Sequence, residues 1–306
     1  MEIYIIDKKE NFSDEQIKRI EKCGKVMFIE EEHNMLEGAY TKSNEEKMIA
    51  INPDLIGWEL PNNVLDKITN LKAICLMSTS YSYVDLEYCK NRNIVVTNVP
   101  NYSTDSVAEY AVFLMLSISR KLPIQIKGAW KENFTDEFCG MQIKGKTAAI
   151  LGLGHIGERL ADILKGMGIN VIYWSKNTRN DKYIYKELDE IFKEADFIFP
   201  TFLINDETKK IITDDRINSM KNNASIITIV GTDIFNKDLV LEKVKNNTLY
   251  GLAFENSNDN INNYEGNVLV TSPYAWYTVD SLSNCIEIWV DSIEGIANNE
   301  FINTVN

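Results

Sequence analysis

The chain has 306 residues, enough for one large domain or two of ordinary size, which excludes a single small module. The composition is 44% hydrophobic and 25% charged, which is typical of a globular protein with a packed core and excludes wholesale disorder. The formal net charge is −13, with no long run of like charges. We therefore expect neither nucleic acid nor a membrane as a partner.

Cysteine usage and the N-terminus indicate the compartment. The cysteines are odd in number and widely spaced: Cys23, Cys75, Cys89, Cys139 and Cys285. This pattern predicts neither a disulfide framework nor a metal site. The N-terminus does not resemble a signal peptide, and the longest apolar run, Ala111 to Ile118, is too short to span a bilayer. These features predict a soluble cytoplasmic protein.

Short apolar runs alternate with amphipathic segments in chain order. The first series contains the predicted strands EIYIID, KVMFIE, LKAICLMST and IVVTNVP, and the helices DEQIKRIEKCG and VDLEYCKNRN. A second series begins at Lys146 and contains TAAILGL, NVIYWS, DFIFPTF, SIITIV, LYGLAF and NVLVTS as strands. Between them, SVAEYAVFLMLSISR predicts a long buried helix that links two lobes, and a last helix is predicted from about Val279 to Ala297. The alternation indicates an α/β fold with parallel sheets.

The most specific motif is a glycine-rich turn between a predicted strand and a predicted helix. It consists of Gly152, Leu153, Gly154, His155, Ile156 and Gly157, after TAAIL and before ERLADILKGMG. Gly152 permits a tight turn, Gly154 a close approach of backbone to a pyrophosphate, and Gly157 close packing of helix on strand. The phosphates would lie at the positive helix N-terminus. The motif predicts dinucleotide binding; the alternative is a glycine-rich turn with no ligand.

The end of the next strand bears on cofactor choice. An NAD-selective site carries an acid there for the ribose 2′-hydroxyl, but this strand ends at Ser175, followed by Lys176, Thr178 and Arg179. Hydroxyl and cationic groups can hold a 2′-phosphate by charge-assisted hydrogen bonds. The sequence therefore predicts NADP in preference to NAD. The alternative is a solvated basic loop.

Several segments resemble the D-isomer-specific 2-hydroxyacid dehydrogenase family. In chain order they are STSYSYVD at 78–85, IVVTNVP, SVAEYAVFLMLSISRKL at 106–122, IKGKTAAILGLGHIG, DETKKII at 206–212, MKNNASIITIVG at 220–231, NKDLVLEKVKNNTLYGLAFE at 236–255 and NVLVTSPYAWYT at 267–278. The resemblance implies a doubly wound, Rossmann-type nucleotide domain at 99–279. It also implies a smaller, flavodoxin-like substrate domain at 1–98 and 280–306, with substrate in the cleft between the two. Family members transfer a hydride between the nicotinamide and carbon C2 of a 2-oxo or 2-hydroxy acid.

The catalytic residues that the family uses have no direct counterpart in this chain. The family arginine precedes a glycine, but the corresponding pair here is Val230 and Gly231. The family histidine maps to Pro273, and the family glutamate maps near Asp259 or Asn260. Neither histidine of the chain is placed to replace it, since His33 is early in the chain and His155 belongs to the glycine turn. The resemblance thus identifies a divergent member that lacks the catalytic Arg and His.

Two interpretations remain open. In the first, the protein is an oxidoreductase in which Tyr274 or Tyr277 supplies the proton, and Thr79, Ser80 and Tyr81 bind a small 2-oxo or 2-hydroxy acid or a related carbonyl compound. In the second, it is a catalytically silent NAD(P)-binding sensor or scaffold. The aromatic residues around Tyr274 could also simply pack, with only their polar tips in water.

Further residues are expected near the cofactor. Glu255 matches the family acid that accepts a hydrogen bond from the nicotinamide carboxamide; the alternative is a surface acid at a strand end. Later strand ends contribute Thr201, Phe202, Val230 and Gly231. The resemblance also implies a homodimer, formed through the helix at 108–120 and the segment around Trp130.

Overall fold

The computed structural model describes residues 1–31 and 34–306; His33 lies outside the described residues. The strands in this part of the chain are β1 Glu2–Ile6, β2 Lys25–Ile29, β3 Lys47–Ile51, β4 Leu71–Leu76, β5 Val95–Thr97, β6 Thr147–Leu151, β7 Asn170–Trp174, β8 Ile184–Tyr185, β9 Phe197–Pro200, β10 Ser225–Thr228, β11 Gly251–Glu255 and β12 Val268–Thr271. The α-helices are α1 Asp14–Cys23, α2 Asn62–Leu65, α3 Leu86–Asn91, α4 Thr104–Ser119, α5 Leu122–Lys127, α6 His155–Gly166, α7 Leu188–Glu194, α8 Asp214–Ser219, α9 Lys237–Lys245 and α10 Val279–Ala297.

The chain forms two compact units. The first unit contains Met1–Ser103 and Val279–Asn306, and the second unit contains Thr104–Thr278. The sequence places the domain boundaries at 98/99 and 279/280, and the assignment of substrate and nucleotide binding to these domains stays a prediction.

The first unit is built on a five-stranded parallel sheet with the order β2-β1-β3-β4-β5. Both faces are covered, so the central strands β1 and β3 are buried along their whole length. One face packs against α10, whose Trp289 and Ile293 are fully buried. The helix α1 begins with a capping box in which the side chains and backbone of Ser13 and Gln16 satisfy each other. The strand order is that of a flavodoxin-like fold.

The second unit is built on a seven-stranded parallel sheet with the order β12-β11-β10-β9-β6-β7-β8. The chain winds outward in both directions from the pair β6 and β9, so the topological switch point lies at the carboxyl end of β6. One apolar cluster includes α4 and α6 on one face, and a second cluster includes α7 and α9 on the other. This is the doubly wound arrangement, and the predicted α/β fold class is confirmed.

Some elements differ from the sequence prediction. The strands β3 and β8 are not among the predicted ones. Phe113 and Leu116 of α4 are exposed, so the predicted buried linker helix is buried on one face only. Within residues 1–31 and 34–306, no helix combines the length and apolar character that crossing a membrane requires.

Candidate active site

The glycine turn lies at the switch point of the second unit, as its sequence context predicts. Gly152 follows β6 with a φ of +103°, a region that favours glycine, and its N–H donates to the carbonyl of Trp174 at 2.8 Å. A Cβ atom at Gly152 would lie 3.0 Å from the backbone nitrogen and the Cβ of Phe202. Both the conformation and the space at this position therefore require glycine.

The third glycine brings helix and strand into contact. A Cβ atom at Gly157 would lie 2.2 Å from the carbonyl oxygen of Gly152 and 2.9 Å from the hydroxyl of Thr201. The hydroxyl of Thr201 donates a hydrogen bond to the Gly152 carbonyl at 2.6 Å, so the segment after β9 is bonded to the turn after β6. Thr201 and Phe202 thus constrain the conformation of the turn. Their position at a strand end does not by itself predict this role.

The N-terminus of α6 is open above the turn. Gly154 precedes the helix, and no described side chain caps it. A Cβ atom at Gly154 would have no described atom within 4 Å. The first N–H groups of an α-helix have no partner within the helix, so those of His155, Ile156 and Gly157 are available to an anion. The imidazole of His155 is exposed at this first helical position.

A cavity of about 410 Å³ adjoins the glycine turn. Its lining residues come from the ends of β6, β7 and β9 and the segments that follow: Gly152, Trp174, Ser175, Lys176, Asn177, Thr178, Phe202, Glu207, Thr208 and Ile211. The wall is mainly apolar at Trp174, Phe202 and Ile211, and polar at its rim. Its volume and mixed character suit a nucleoside.

The cations predicted to hold a 2′-phosphate have partners of their own. Lys176 forms an ion pair with Glu207 across the rim of the cavity. The guanidinium of Arg179 lies over the ring of Tyr185 at 3.9 Å and donates to the carbonyl of Ser175 at 2.7 Å. The hydroxyl of Ser175 is buried and accepts from the backbone N–H of Thr178. The carboxylate of Glu207, contributed from another loop, is a feature that the sequence did not predict.

The position that is predicted to correspond to the family arginine lies after β10. Val230 is half-buried against the apolar cluster on one face of the sheet, and its N–H donates to the hydroxyl of Thr228 at 3.3 Å. The next residue, Gly231, has a φ of +98°, and its carbonyl accepts from the same hydroxyl at 2.9 Å. The side chain of Val230 can contribute only apolar contact.

Glu255 engages the backbone of the segment that follows β12. Its Oε1 accepts from the N–H of Ala275 at 2.9 Å, and the N–H of Tyr274 also donates to this carboxylate. Burial raises the pKa of the Glu255 carboxyl above its ordinary value, and the two backbone donors oppose that rise. Glu255 is therefore half-buried and bonded, in contrast to an ordinary surface acid, and it fixes the loop that carries Tyr274.

The segment after β12 presents aromatic rings to solvent. The side chains of Tyr274 and Tyr277 are 60% and 56% exposed, with ring centroids 6.1 Å apart. The ring of Trp276 lies 5.2 Å from that of Tyr277. Pro273, which is predicted to take the place of the family histidine, is exposed and has no group that can carry a proton. The rings are not packed with only their polar tips in water.

The predicted substrate loop belongs to the first unit and follows β4. The hydroxyl of Thr79 donates to the carbonyl of Val99 at 2.9 Å, which leaves its lone pairs as acceptors. The side chains of Ser80 and Tyr81 are exposed, and the hydroxyl of Ser80 lies 3.2 Å from that of Ser82. The loop thus offers hydroxyl groups and an aromatic ring at the carboxyl edge of the sheet.

Asp259, near which the family glutamate is predicted to map, is part of a local network. Asp259 accepts from the hydroxyl of Tyr264 and lies 3.6 Å from the ammonium of Lys237. These contacts, together with hydrogen bonds from its neighbours, hold the pKa of the Asp259 carboxyl below its usual value even though burial acts in the opposite direction. The network ties the loop after β11 to the start of α9.

Three features of the second unit are suited to binding a nicotinamide dinucleotide. The glycine turn leaves open space above Gly154, α6 presents free N–H groups, and the adjoining cavity matches a nucleoside in size. Glycine turn, helix N-terminus and cavity lie together at the switch point, where open α/β sheets bind ligands.

Comparison with known proteins agrees with this geometry. A family model described as "D-isomer specific 2-hydroxyacid dehydrogenase, NAD binding domain" matches residues 112–269. The chain is 28% identical over 216 residues to a Staphylococcus epidermidis protein whose provisional name is 2-hydroxyacid dehydrogenase, and the match covers 66% of each chain. It is 27% identical over 256 residues to an aromatic 2-oxoacid reductase of Clostridium sporogenes, covering 75% of this chain and 77% of that one.

Solved structures show the same fold. A D-isomer specific 2-hydroxyacid dehydrogenase from Lactobacillus delbrueckii ssp. bulgaricus, solved as its NAD complex, is similar with a TM-score of 0.82. The sequences are 20% identical, and the match covers 100% of both chains.

Proposed function

Since the chain belongs to the family of D-isomer specific 2-hydroxyacid dehydrogenases, we propose that it is a nicotinamide-dependent oxidoreductase acting on a small 2-oxo or 2-hydroxy acid or a related carbonyl compound. The observation that carries the proposal is the glycine turn at the switch point, where Gly157 leaves no room for a Cβ atom. The bound nicotinamide would supply or accept the hydride, while residues of the chain bind the substrate and move the proton.

We assign cofactor binding to residues 99–279 and substrate binding to residues 1–98 with 280–306. The cofactor residues are Gly152, Gly154, His155, Ile156, Gly157, Ser175, Lys176, Arg179, Thr201, Phe202, Val230, Gly231 and Glu255. The N–H groups at the start of α6 would hold the pyrophosphate. The Glu255 carboxylate, which already accepts from two backbone N–H groups, would use its remaining lone pairs to accept a hydrogen bond from the nicotinamide carboxamide.

NADP is the proposed preferred cofactor, with NAD as the alternative. Lys176 stands at the rim of the cavity, where a 2′-phosphate could replace Glu207 as its partner. Arg179 donates to the carbonyl of Ser175, which lines the cavity, and so adds positive charge close to it. The carboxylate of Glu207 opposes this preference, because it could accept a hydrogen bond from an unphosphorylated ribose.

The proposed chemistry differs from that of the family at two positions. Val230 and Pro273 replace the arginine and the histidine, and we propose that Tyr274 donates the proton to the developing alkoxide. Thr79, Ser80, Tyr81 and Tyr277 would bind the substrate by hydroxyl and aromatic contacts. Without the arginine a carboxylate is bound less tightly, so aldehydes and ketones belong in the substrate panel.

We further propose that the protein is a cytoplasmic homodimer. A homodimer is supported by exposed apolar side chains on and after α4, namely Phe113, Leu116 and Trp130. Cytoplasmic location is supported by the cysteines, all of which are free in the described structure.

The test is NADPH oxidation, followed by absorbance, against a panel of 2-oxo acids, aldehydes and ketones. We expect turnover with at least one 2-oxo acid, and a weaker or absent reaction when NADH replaces NADPH. A protein that binds NADPH in a fluorescence titration but oxidises it with none of these compounds contradicts the proposal and supports a silent cofactor sensor instead.

A further inference from the structure

The turn after β3 holds an exposed tryptophan in a backbone conformation that L-residues rarely adopt. A short 3-10 turn at Pro53–Ile56 is followed by Gly57 with a φ of +65° and Trp58 with a φ of +58°. Glycine adopts this region freely, whereas for a bulky residue it is strained. The side chain of Trp58 is nevertheless 45% exposed, so burial of its ring does not offset the strain.

Two contacts fix the orientation of this ring. The indole Nε1 of Trp58 donates to the Asp54 carboxylate at 2.8 Å. The ring meets that of Tyr83 edge to face, with centroids 5.3 Å apart, and the hydroxyl of Tyr83 lies 2.9 Å from that of Ser78. The tryptophan is therefore exposed and at the same time held in place.

The ring stands beside the proposed substrate loop. The turn with Trp58 follows β3, residues 78–85 follow β4, and these strands are parallel neighbours, so both segments lie at the carboxyl edge of the sheet. A bridge between Leu60 and Val84 joins the two segments directly. Tyr81, in the same loop, is 40% exposed. Open parallel sheets bind their ligands at this edge.

We propose that Trp58 forms an aromatic wall of the substrate site and selects a 2-oxo or 2-hydroxy acid that carries a flat apolar side chain, above all an aryl group. This inference rests on the proposed function. Strained residues that their surroundings hold in place cluster at ligand-binding sites, and a ring fixed before binding loses little freedom when a ligand stacks on it. The exposed ring of Tyr81 would enlarge the same apolar surface.

The test compares phenylpyruvate with pyruvate as substrates of the full-length protein with NADPH. Trp58→Ala is expected to raise the KM for phenylpyruvate about tenfold and to change the KM for pyruvate less than about twofold. Trp58→Phe should recover most of the phenylpyruvate KM. Phe301→Ala, which removes an exposed ring elsewhere in the first unit, is the matched control and should change neither. An equal rise for both compounds, or no rise for phenylpyruvate, overturns the inference.

A binding experiment separates this inference from the proposed function. Saturation-transfer NMR reports contact between the ring protons of phenylpyruvate and the NADPH-loaded protein without turnover. If neither compound is reduced, the proposed function fails, while a ring-proton signal that disappears in Trp58→Ala still supports the aromatic wall. No binding to the wild type, or an undiminished signal in the variant, overturns it. If the alanine variant does not fold, Trp58→Leu, which keeps apolar volume but removes the ring, takes its place.

Discussion

Two segments of the second unit follow strands of the same sheet, β6 near its centre and β12 at its edge, yet their conformations are determined in opposite ways. The conformation of the glycine turn after β6 is set by its backbone. Gly152 has a positive φ, a Cβ atom at Gly157 would clash, and the Thr201 hydroxyl bonds the turn, so neither glycine can be replaced without strain. The segment after β12 is bonded to Glu255 through the backbone N–H groups of Tyr274 and Ala275, and its side chains at Tyr274, Trp276 and Tyr277 are exposed to solvent.

If the proposed function is right, this difference allows the chain to keep its cofactor site while its catalytic residues change. Substitutions at Gly152 and Gly157 strain the fold, whereas we expect substitutions at exposed positions such as Pro273 and Tyr274 to cost little stability. We therefore expect substitutions that weaken cofactor binding to be different from those that impair proton transfer.

The largest effect is expected at Tyr274. Tyr274→Phe removes the proposed proton donor and keeps the ring, so kcat should fall by at least about 100-fold, the range for loss of a general acid. The NADPH dissociation constant from fluorescence titration should stay unchanged. Tyr88→Phe, which removes a tyrosine hydroxyl on α3, is the control and should keep its kcat. Equal kcat values in Tyr274→Phe and wild type would remove Tyr274 from the mechanism.

Substitution of Gly157 is expected to reduce stability and cofactor affinity strongly, in contrast to the loss of kcat expected at Tyr274. A Cβ atom there would lie 2.2 Å from the carbonyl oxygen of Gly152, so Gly157→Ala must displace backbone. We expect a loss of about 1–3 kcal/mol in the free energy of unfolding and at least about tenfold weaker NADPH binding. Denaturant unfolding and fluorescence titration measure these quantities.

Gly166→Ala provides the matched control for that substitution. Gly166 ends the same helix, and a Cβ atom there would have no described atom within 4 Å. This variant should keep wild-type NADPH affinity and gain stability, by up to about 1 kcal/mol. Equal NADPH affinity in Gly157→Ala and Gly166→Ala would contradict the role given to the glycine turn.

A smaller effect is expected at the rim of the nucleoside cavity. Lys176→Ala should weaken NADPH binding about three- to tenfold and leave NADH binding unchanged, because only the 2′-phosphate needs the cation. Glu207→Gln should strengthen NADPH binding, since it releases Lys176 from its ion pair. Lys209→Ala, which removes an exposed charge nearby, serves as the control. A loss of NADH affinity equal to that of NADPH would argue against the preference for NADP.

The smallest effect concerns the pH dependence of stability. Burial raises the pKa of Glu255, so the native state binds this proton more tightly than the unfolded state, and the contribution of Glu255 to stability falls as pH rises above about 4.5. Glu255→Gln removes the titrating group and should flatten the stability curve on that side. Denaturant unfolding at several pH values measures it; parallel curves for the two proteins would show that the carboxyl is not perturbed.

The sequence predicts the parts of the fold whose signal is local. The strand and helix around the glycine turn were predicted because apolar runs, glycines and helix periodicity are adjacent in the chain. The strand β3 has a weaker sequence signal because it begins with Lys47, a charged residue whose buried ammonium donates to the carbonyls of Ser43 and Thr69. β8 has two residues, too few for any periodic pattern.

In the candidate site, too, the sequence predicts the features that depend on neighbouring residues in the chain. Gly152, Gly154 and Gly157 are conformational requirements that residue type alone reveals. The pairing of Lys176 with Glu207 and the hydrogen bond from Ala275 to Glu255 join residues far apart in the chain, and only the folded sheet brings them together. The strained conformation of Trp58 likewise has no signal in the sequence beyond the preceding Gly57.

The central proposal is hydride transfer by a chain in which Val230 and Pro273 are predicted to replace the family arginine and histidine, and isotope labelling of the cofactor tests it most directly. NADPH carrying deuterium at the reactive face of C4 is mixed with the protein and the 2-oxo acid that gives turnover, and the product is analysed by mass spectrometry. The account predicts a 2-hydroxy acid with one deuterium at C2 for each NADPH oxidised. A product without deuterium, or NADPH that stays bound and unoxidised with every 2-oxo acid, would contradict it.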